Sequence, residues 1–229
     1  MAKTRRNKQV LIISLGGSTI VPKEIDLIFL KQFKKFVLEN KNQKFIIVCG
    51  GGHTNKIYNA AARKLSKISD EDLDWIGIKT TMLNAELVRS MFSKIAYDKF
   101  VEPIKKVKTN KRVIICSGWK PGWSSDYDAV LLARSFGVKV VVNLTNIDYV
   151  YDKNPQKFKS AKPLKNLTWG DYKKLIGSKW IPRMHAPFDP VASRLAEKWG
   201  VKVVVMRGAD LNNLKSFLEG KKFKGSVLG

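Results

Sequence analysis

The segment RVIICSGWKPGWSSDYDAVLLARSFG, residues 112–137, places an apolar strand, a loop and a helix in direct succession. The run 112–117 is short, apolar and rich in β-branched residues, which is typical of a buried strand. Ser125 is the predicted N-cap, with Asp128 three residues later as in a capping box, and Gly137 is the predicted stop. A strand that leads directly into a helix is the repeating unit of an α/β fold.

The same unit recurs along the chain. Further apolar, β-branched runs lie at 10–15, 45–50, 138–144 and 201–207. Residues 24–40 and 189–200 have helical period, and the second segment ends on Gly200. One predicted face of the first helix holds Ile25, Ile28, Phe29, Gln32, Phe33, Phe36 and Val37. The pattern predicts a mainly parallel sheet covered on both faces, in one domain over residues 1–229 with a basic extension at about 1–9.

Composition narrows the classes of protein. Hydrophobic residues make up 44% of the 229 residues, a normal share for a globular protein, and no apolar run is long enough for a membrane span. The apolar part of the N-terminal segment is also too short for a secretion signal. Cys49 and Cys116 end apolar runs, so we expect buried free thiols in a reducing cytoplasm.

The formal charge of +24 raises the question of nucleic acid. Basic residues are spread over the whole chain, with the densest cluster at residues 103–112, and no RNA-binding sheet motif or zinc-finger spacing is present. Specific nucleic-acid recognition is therefore not favoured. Weak binding to RNA at low salt stays open.

Four of the five predicted strands end in a polar or glycine-rich segment. These segments are LGGST at 15–19, GGGHTNK at 50–56, SGWKPGWSSD at 117–126 and TNIDYVYDKNP at 145–155. Ligands of parallel sheets gather at the carboxyl ends of the strands, and glycines before a helix aim free N–H groups at anions. Two glycine cradles suggest two phosphate groups or two ends of one polyphosphate, although each alone could be a structural turn. The P-loop and G-x-G-x-x-G patterns are absent.

Four segments resemble, in the same order, the successive signatures of the amino acid kinase superfamily. They are SLGGS, GGGHTNKIY, PGWSSDYDAVLLA and TNIDYVYDKNP. DWIGIKTTMLNAEL, residues 74–87, is similar to the D-x-x-G-x-x-x-T-x-x-N element of uridylate kinases and keeps its spacing at Asp74, Gly77, Thr81 and Asn84. The resemblance is closer to the archaeal type than to acetylglutamate kinase. The histidine-containing element of isopentenyl phosphate kinases is missing.

The resemblance implies a three-layer αβα sandwich with a central, mostly parallel sheet. It also implies the transfer of a phosphoryl group from ATP to UMP, with Mg²⁺ as cofactor, in pyrimidine nucleotide biosynthesis. The protein is then expected to be a cytoplasmic homo-oligomer, commonly a hexamer. Neither a membrane nor a specific nucleic acid is an expected partner. Two alternatives stay open: a kinase of this superfamily with a different acceptor, or a nucleotide-binding or sensing relative without turnover.

The resemblance also assigns roles to individual residues. The residues expected to serve the transferring phosphoryl group are Gly16, Gly17, Lys56 and Asp126. Those expected to bind UMP are Gly51, Gly52, Lys56, Asp74, Ser124 and Ser125. Those expected to bind ATP are Gly17, Ser18, Thr145, Asn146, Asp148, Tyr151 and Asn154. No protein ligand for a metal is predicted.

The chemistry agrees with this inventory. A nucleoside monophosphate is already ionised at pH 7, so transfer needs positioning and charge neutralisation rather than a general base. His53 and His185 are therefore not required as acids or bases; His53 could donate to phosphate, and His185 is as readily a structural loop residue. Trp119 or Trp123 could offer a flat wall to a nucleobase or ribose, or could pack under the loop or between subunits.

Two positions depart from the family pattern. Many members carry a lysine two residues before the first Gly-Gly, and this chain has Ser14 there. Either Lys8, Lys56 or Lys120 supplies the missing cation, or turnover is slow or lost. In addition, Tyr149 stands where relatives usually have a glycine, which puts the local backbone in question.

Overall fold

A computed structural model describes residues 9–99, 101–176 and 186–229. The strands are β1 (Gln9–Leu15), β2 (Gln43–Cys49), β3 (Val113–Cys116), β4 (Val140–Thr145), β5 (Val150–Tyr151), β6 (Pro163–Leu164), β7 (Asn166–Leu167), β8 (Lys202–Arg207) and β9 (Ser226–Leu228). The helices are α1 (Gly17–Ile20), α2 (Leu27–Glu39), α3 (Gly52–Leu65), α4 (Asp70–Met91), α5 (Ser125–Phe136), α6 (Trp169–Ile176), α7 (Pro190–Trp199) and α8 (Leu211–Leu218). The predicted basic extension lies outside these ranges except for Gln9, which begins β1.

The central sheet has the strand order β3-β2-β1-β4-β8-β9-β7. Its first five strands are parallel, β9 is antiparallel to β8, and β7 is parallel to β9. Ile13 of β1 packs with the buried side chains of α2, α4 and α8, whereas the adjacent Ile12 packs with those of α5, α6 and α7. Because successive side chains of a strand point to opposite faces, helices cover both sides of the sheet. The predicted αβα sandwich is confirmed.

The helix predicted over residues 24–40 is shifted at its start. Asp26 is its N-cap and accepts a hydrogen bond from the Phe29 N–H at 2.9 Å, so Ile25 precedes the helix. Ile25 is 50% exposed and Ile28 is 74% exposed. The predicted face is therefore wrong at both isoleucines: Ile25 precedes the helix, and Ile28 lies outside the buried stripe, which Leu30 joins instead.

Helix α5 and its cap begin one residue earlier than predicted. Ser124, not Ser125, is the N-cap, and its Oγ accepts the Tyr127 N–H at 3.2 Å. The predicted capping box is wrong because the Asp128 side chain is fully buried instead of reaching back to the helix start. Gly137 ends the helix in the left-handed conformation, as predicted, with φ of 69°.

Candidate active site

The carboxyl ends of β1, β2, β3, β4 and β8 meet at one edge of the sheet, because these five strands are parallel neighbours. Four predicted loops leave the sheet at this edge, and Arg207 ends β8 beside them. The four loops predicted from the sequence therefore lie at a common edge, the kind of position where ligands of parallel sheets gather. In the part of the chain that the structure describes, no helix is long and apolar enough to cross a membrane.

The two glycine loops pack directly on each other. The Gly50 N–H donates to the carbonyl of Leu15 at 3.0 Å, and a Cβ added to Gly17 would lie 2.0 Å from the nitrogen of Gly52. A Cβ on Gly50 would lie 2.5 Å from the nitrogen of Gly17. Gly52 itself has φ of +65°, a conformation that favours glycine. The glycines are therefore required by backbone-to-backbone contact, which also brings the two predicted phosphate cradles together.

Helix α3 begins inside the second cradle. The helix starts at Gly52, so its first turn belongs to the glycine loop. The positive end of α3 and its free N–H groups therefore lie at the candidate site, where they favour an anion. Lys56 begins the next turn of α3 and is exposed.

The Asp74–Asn84 element holds two loops of the site in place. The side-chain amide of Asn84 donates to the carbonyls of Gly50 and Gly51 at 2.8 and 3.1 Å. Thr81 Oγ1 accepts the Gly118 N–H at 2.8 Å, and Asp74 Oδ2 accepts the Gly122 N–H at 2.8 Å. Since all three side chains come from α4, this helix fixes the second and third loops relative to each other.

The tryptophan-containing loop forms an aromatic cluster. The Trp119 and Trp123 ring centroids lie 5.3 Å apart, edge to face, and the Trp123 and Tyr127 centroids lie 4.6 Å apart. Lys120 Nζ lies 4.4 Å from the Trp119 ring centroid. Each tryptophan thus uses part of its side chain to pack against its neighbours in the loop. Both side chains remain half-buried. Lys120 is held over the rings by a cation–π contact.

Asp126 lies at the start of α5 and contacts β1. The Ser14 hydroxyl donates to its Oδ1 at 2.8 Å, and the Asp189 N–H donates to its Oδ2 at 3.1 Å. Burial and the nearby Asp189 carboxylate raise the pKa of Asp126 to about 7, although both hydrogen bonds favour the ionised form. Ser14, at the position where many family members carry a lysine, therefore supplies an uncharged donor. Near pH 7, both protonation states of Asp126 are populated.

The fourth loop is fixed by an ion pair with β8. Arg207 donates through Nε to Asp148 Oδ1 at 2.7 Å and through an Nη to Oδ2 at 3.1 Å, and this guanidinium lowers the pKa of Asp148. Tyr149 and Tyr151 meet edge to face with ring centroids 6.3 Å apart. Asn154 is exposed, and its side-chain oxygen accepts the Gln156 N–H at 2.9 Å. Asp148 is thus held at the edge of the sheet, whereas the side chain of Asn154 closes a local turn.

Comparisons with known proteins agree with this geometry. Residues 9–207 match the model of the family described as Amino acid kinase family. The chain belongs to the amino acid kinase family. A uridylate kinase of Sulfolobus acidocaldarius is 34% identical over 196 residues, covering 83% of this chain and 86% of the relative. A uridylate kinase of Thermoplasma volcanium is 34% identical over 214 residues, covering 92% and 93%.

Solved structures match this amino acid kinase over nearly its full length. The crystal structure of a uridylate kinase from Archaeoglobus fulgidus has a TM-score of 0.78 at 28% identity, covering 96% of this chain and 100% of that one. A UMP kinase structure from Ureaplasma parvum, with a TM-score of 0.76 at 18% identity, shares the fold. The family assignment made from the sequence motifs is confirmed.

Two residues of this amino acid kinase site were missed by sequence reasoning. Asp189 was assigned only to a helix start, and Arg207 only to the end of a strand. Arg207 could have been found, because it is the one cation that directly ends one of the five apolar runs. The contact of Asp189 with Asp126 could not, since 63 positions separate the two residues.

Three predicted groups stand differently. Lys8 and His185 lie outside the described residues, and Lys120 is engaged by the tryptophans. Lys56 is exposed on α3. Of the three proposed cations, it lies closest in sequence to the glycine loop at residues 50–52. Across residues 9–99, 101–176 and 186–229, no group of three or more histidine, cysteine, aspartate or glutamate side chains could hold a metal ion.

Proposed function

We propose that this chain is a uridylate kinase, which transfers the terminal phosphoryl group of ATP to UMP and releases ADP and UDP. The observation that carries the proposal is the direct contact between the Gly16–Gly17 and Gly50–Gly52 loops beside the N-terminus of α3. Donor and acceptor phosphates must meet for transfer, and two touching cradles supply that geometry. The archaeal relatives named uridylate kinase agree with this reaction.

The chain promotes transfer by position and charge. An acceptor phosphate oxygen bonds to the terminal phosphorus of ATP as the bond to the ADP oxygen breaks, and no proton has to be removed first. In the proposal, the N–H groups of Gly17 and Ser18 bind the moving phosphoryl group, and Gly16, whose N–H donates to the Leu144 carbonyl at 2.9 Å, shapes the loop. Gly51, Gly52 and the positive end of α3 bind the UMP phosphate, with Lys56 one turn farther along.

Asp126 fits a role beside Mg²⁺. Mg²⁺ is usually held by one or two carboxylates together with substrate phosphates, so three protein ligands are not required. When bound, it would neutralise phosphate charge. A nearby cation favours the ionised form of a carboxyl group, and Asp126, with a pKa of about 7 in the free chain, can respond to it. The Ser14 hydroxyl orients this carboxylate without neutralising it.

The fourth loop is the proposed donor-nucleotide side of the site. Thr145, Asn146, Asp148, Tyr151 and Asn154 are assigned to ATP. We add Arg207 as a cation near the ATP phosphates, since its bidentate contact with Asp148 fixes its guanidinium at this edge. Arg207 shares its charge with Asp148 and is proposed to reach phosphate through its remaining N–H groups, so Lys56 stays the proposed replacement for the charge of the missing lysine.

The third loop is the proposed acceptor side. Asp74 is assigned to the ribose hydroxyls of UMP, and its existing contact with the Gly122 N–H ties the ribose position to the tryptophan loop. Ser124 and Ser125 at the start of α5 are assigned to the same nucleotide. Trp123 is assigned as the wall beside the base or ribose.

Self-assembly also belongs to the proposal. The neighbouring helices α3 and α4 expose large apolar side chains, namely Ile57, Tyr58, Leu65, Trp75 and Leu83. Tyr58, Trp75 and Leu83 help to line a hollow of about 390 Å³ between these helices. Apolar surface of this kind marks a protein contact, and we propose that it is a homo-oligomer interface, in a hexamer by resemblance. Light scattering after gel filtration tests this assignment.

The setting follows from the reaction. We propose that the chain is one kinase domain that works in pyrimidine nucleotide biosynthesis in the cytoplasm. Cys49 and Cys116 are buried free thiols, as predicted, which suits a reducing compartment.

The decisive experiment measures ADP release from MgATP by the purified protein with UMP, CMP, dUMP, AMP, GMP or acetylglutamate as acceptor. Turnover with UMP well above the others is expected. Turnover with a different acceptor would replace the proposed substrate. Tight binding of ATP and UMP without turnover would indicate a non-catalytic relative, and Ser14→Lys would then be the first variant to assay for restored activity.

A further inference from the structure

The excess of positive charge is not explained by a nucleotide site. The chain has 43 lysines and arginines against 19 aspartates and glutamates. Two segments are especially unbalanced: residues 31–44 contain five lysines and one glutamate, and residues 103–112 contain five cations and no acid. Their combined excess is therefore nine positive charges. The segments are about 60 to 70 positions apart, so the sequence alone does not show that they are related.

The fold joins these two segments. Lys44 Nζ donates to the Thr109 carbonyl at 2.8 Å, and an Nη of Arg112 donates to the Asn40 carbonyl at 3.1 Å. The Phe45 N–H also donates to the Arg112 carbonyl at 2.7 Å. Both segments consequently meet at the amino ends of β2 and β3. We call this region the basic surface; it comprises Lys31, Lys34, Lys35, Lys41, Lys44, Lys108, Lys111 and Arg112.

The charge of the basic surface is poorly compensated. Glu39 lies 3.9 Å from Lys35, and both side chains are largely exposed, which makes the pair weak. Lys111 and Arg112 donate to backbone carbonyls, and such hydrogen bonds orient a cation without neutralising it. Like charges gathered in this way repel each other, so the surface gains stability from an anionic partner.

We propose that the basic surface binds the phosphate backbone of nucleic acid without base specificity. An extended anion suits its form, because four lysines line a shallow depression of about 410 Å³ along the exposed side of α2. None of the residues that define the surface is aromatic, so it offers phosphate contacts rather than stacking for bases. Exposed large apolar side chains near it include Leu27, Ile28 and Leu38 of α2 together with Ile104, so binding to a lipid surface is a separate outcome of the test below.

The basic surface is separate from the candidate active site. β2 runs from the basic surface at Gln43 to the glycine loop after Cys49, a seven-residue strand. At roughly 3.3 Å per residue, about 20 Å separate the two ends. Nucleic-acid binding and phosphoryl transfer can therefore be changed independently.

The test compares two variants of the full-length protein with equal loss of charge. The first removes charge from the basic surface and is Lys34→Gln, Lys35→Gln, Lys41→Gln and Lys108→Gln. The control removes four exposed lysines elsewhere and is Lys165→Gln, Lys198→Gln, Lys215→Gln and Lys222→Gln. Fluorescence anisotropy measures their affinity for a labelled mixed-sequence RNA of about 20 nucleotides between about 50 and 200 mM salt.

The basic-surface variant is expected to bind RNA at least about tenfold more weakly than the control. The slope of log affinity against log salt should become shallower by about 3, or about 0.7 for each lost phosphate contact. RNA of unrelated sequence should compete equally, and turnover with nucleotide should be retained. Equal losses in both variants would overturn the proposal, as would unchanged RNA binding by the first. Binding to anionic phospholipid vesicles with no binding to RNA would replace nucleic acid by a membrane as the partner.

Discussion

Replacing Asp128 by Asn should remove a large pH dependence from the stability of the protein. Asp128 is fully buried, and neither carboxylate oxygen reaches a hydrogen-bond partner within the described residues. The Trp119 N–H lies close enough to favour the ionised form only in part. Burial therefore dominates and raises the pKa of this carboxyl group from 3.8 to about 8.

The sign of the effect follows from the proton balance. Between pH 4 and pH 8, the unfolded chain has lost the Asp128 proton and the folded chain has kept it, so the folded state binds more protons. Stability therefore falls as pH rises, by about 1.4 kcal/mol per pH unit for one group. Between pH 5 and pH 7 the loss amounts to about 3 kcal/mol, which corresponds to about 6–12 °C in Tm for a chain of this length.

The assay is urea unfolding of wild type and Asp128→Asn at pH 5, 6, 7 and 8. The difference in the free energy of unfolding between the two proteins cancels every group that titrates in both, including Asp126. This difference should change in favour of the variant as pH rises. The exposed Asp98→Asn variant controls for the loss of one negative charge. Parallel pH profiles for wild type and Asp128→Asn would refute the argument that Asp128 is buried in its neutral form.

Three further outcomes are expected from the contacts of the site. Gly17→Ala should abolish turnover and lower the Tm, because its Cβ would meet the nitrogen of Gly52. The control Gly170→Ala should keep wild-type turnover and Tm, because no heavy atom lies nearer than 3.6 Å to its Cβ. Equal turnover and equal Tm in the two variants would contradict the expected overlap. Asn84→Ala should lower stability by about 1–3 kcal/mol and raise the KM for UMP, since two carbonyls lose their donor; an unchanged urea midpoint would count against it. Arg207→Met should raise the KM for ATP about tenfold or more, because a hydrogen-bonding cation is lost beside the proposed ATP phosphates. Stability should change little, because the ion pair with Asp148 is exposed. A change confined to the KM for UMP would place Arg207 on the acceptor side of the site instead.

The sequence predicted the layers of the fold and the edge that carries the site, because both depend on local patterns. Apolar runs identify buried strands, and glycines and small polar residues mark the strand ends. Finer features depended on side-chain phase and tertiary contact. Ile28 was misplaced because α2 has apolar residues on more than one side, and only packing against the sheet decides which of them are buried. Asp128 was misread because the capping pattern does not reveal which face of α5 is buried.

The contacts that assemble the site were beyond reach for a different reason. The Ser14–Asp126 hydrogen bond joins residues 112 positions apart, and no local pattern encodes such a pair. The glycine runs were interpreted as phosphate cradles or, singly, as structural turns, and contact between the two loops was not predicted. In the structure, the other glycine loop also approaches, so the same residues serve packing and the proposed binding.

The contact between Gly17 and Gly52 has a mechanical consequence. With the nitrogen of Gly52 occupying the space where a side chain on residue 17 would lie, neither loop can shift toward the other without an overlap of backbone atoms. Displacement of one loop in that direction must move the other with it. The two glycine loops therefore move as a single body in that direction. A molecule that binds one loop and fixes its position also fixes the position of the other loop.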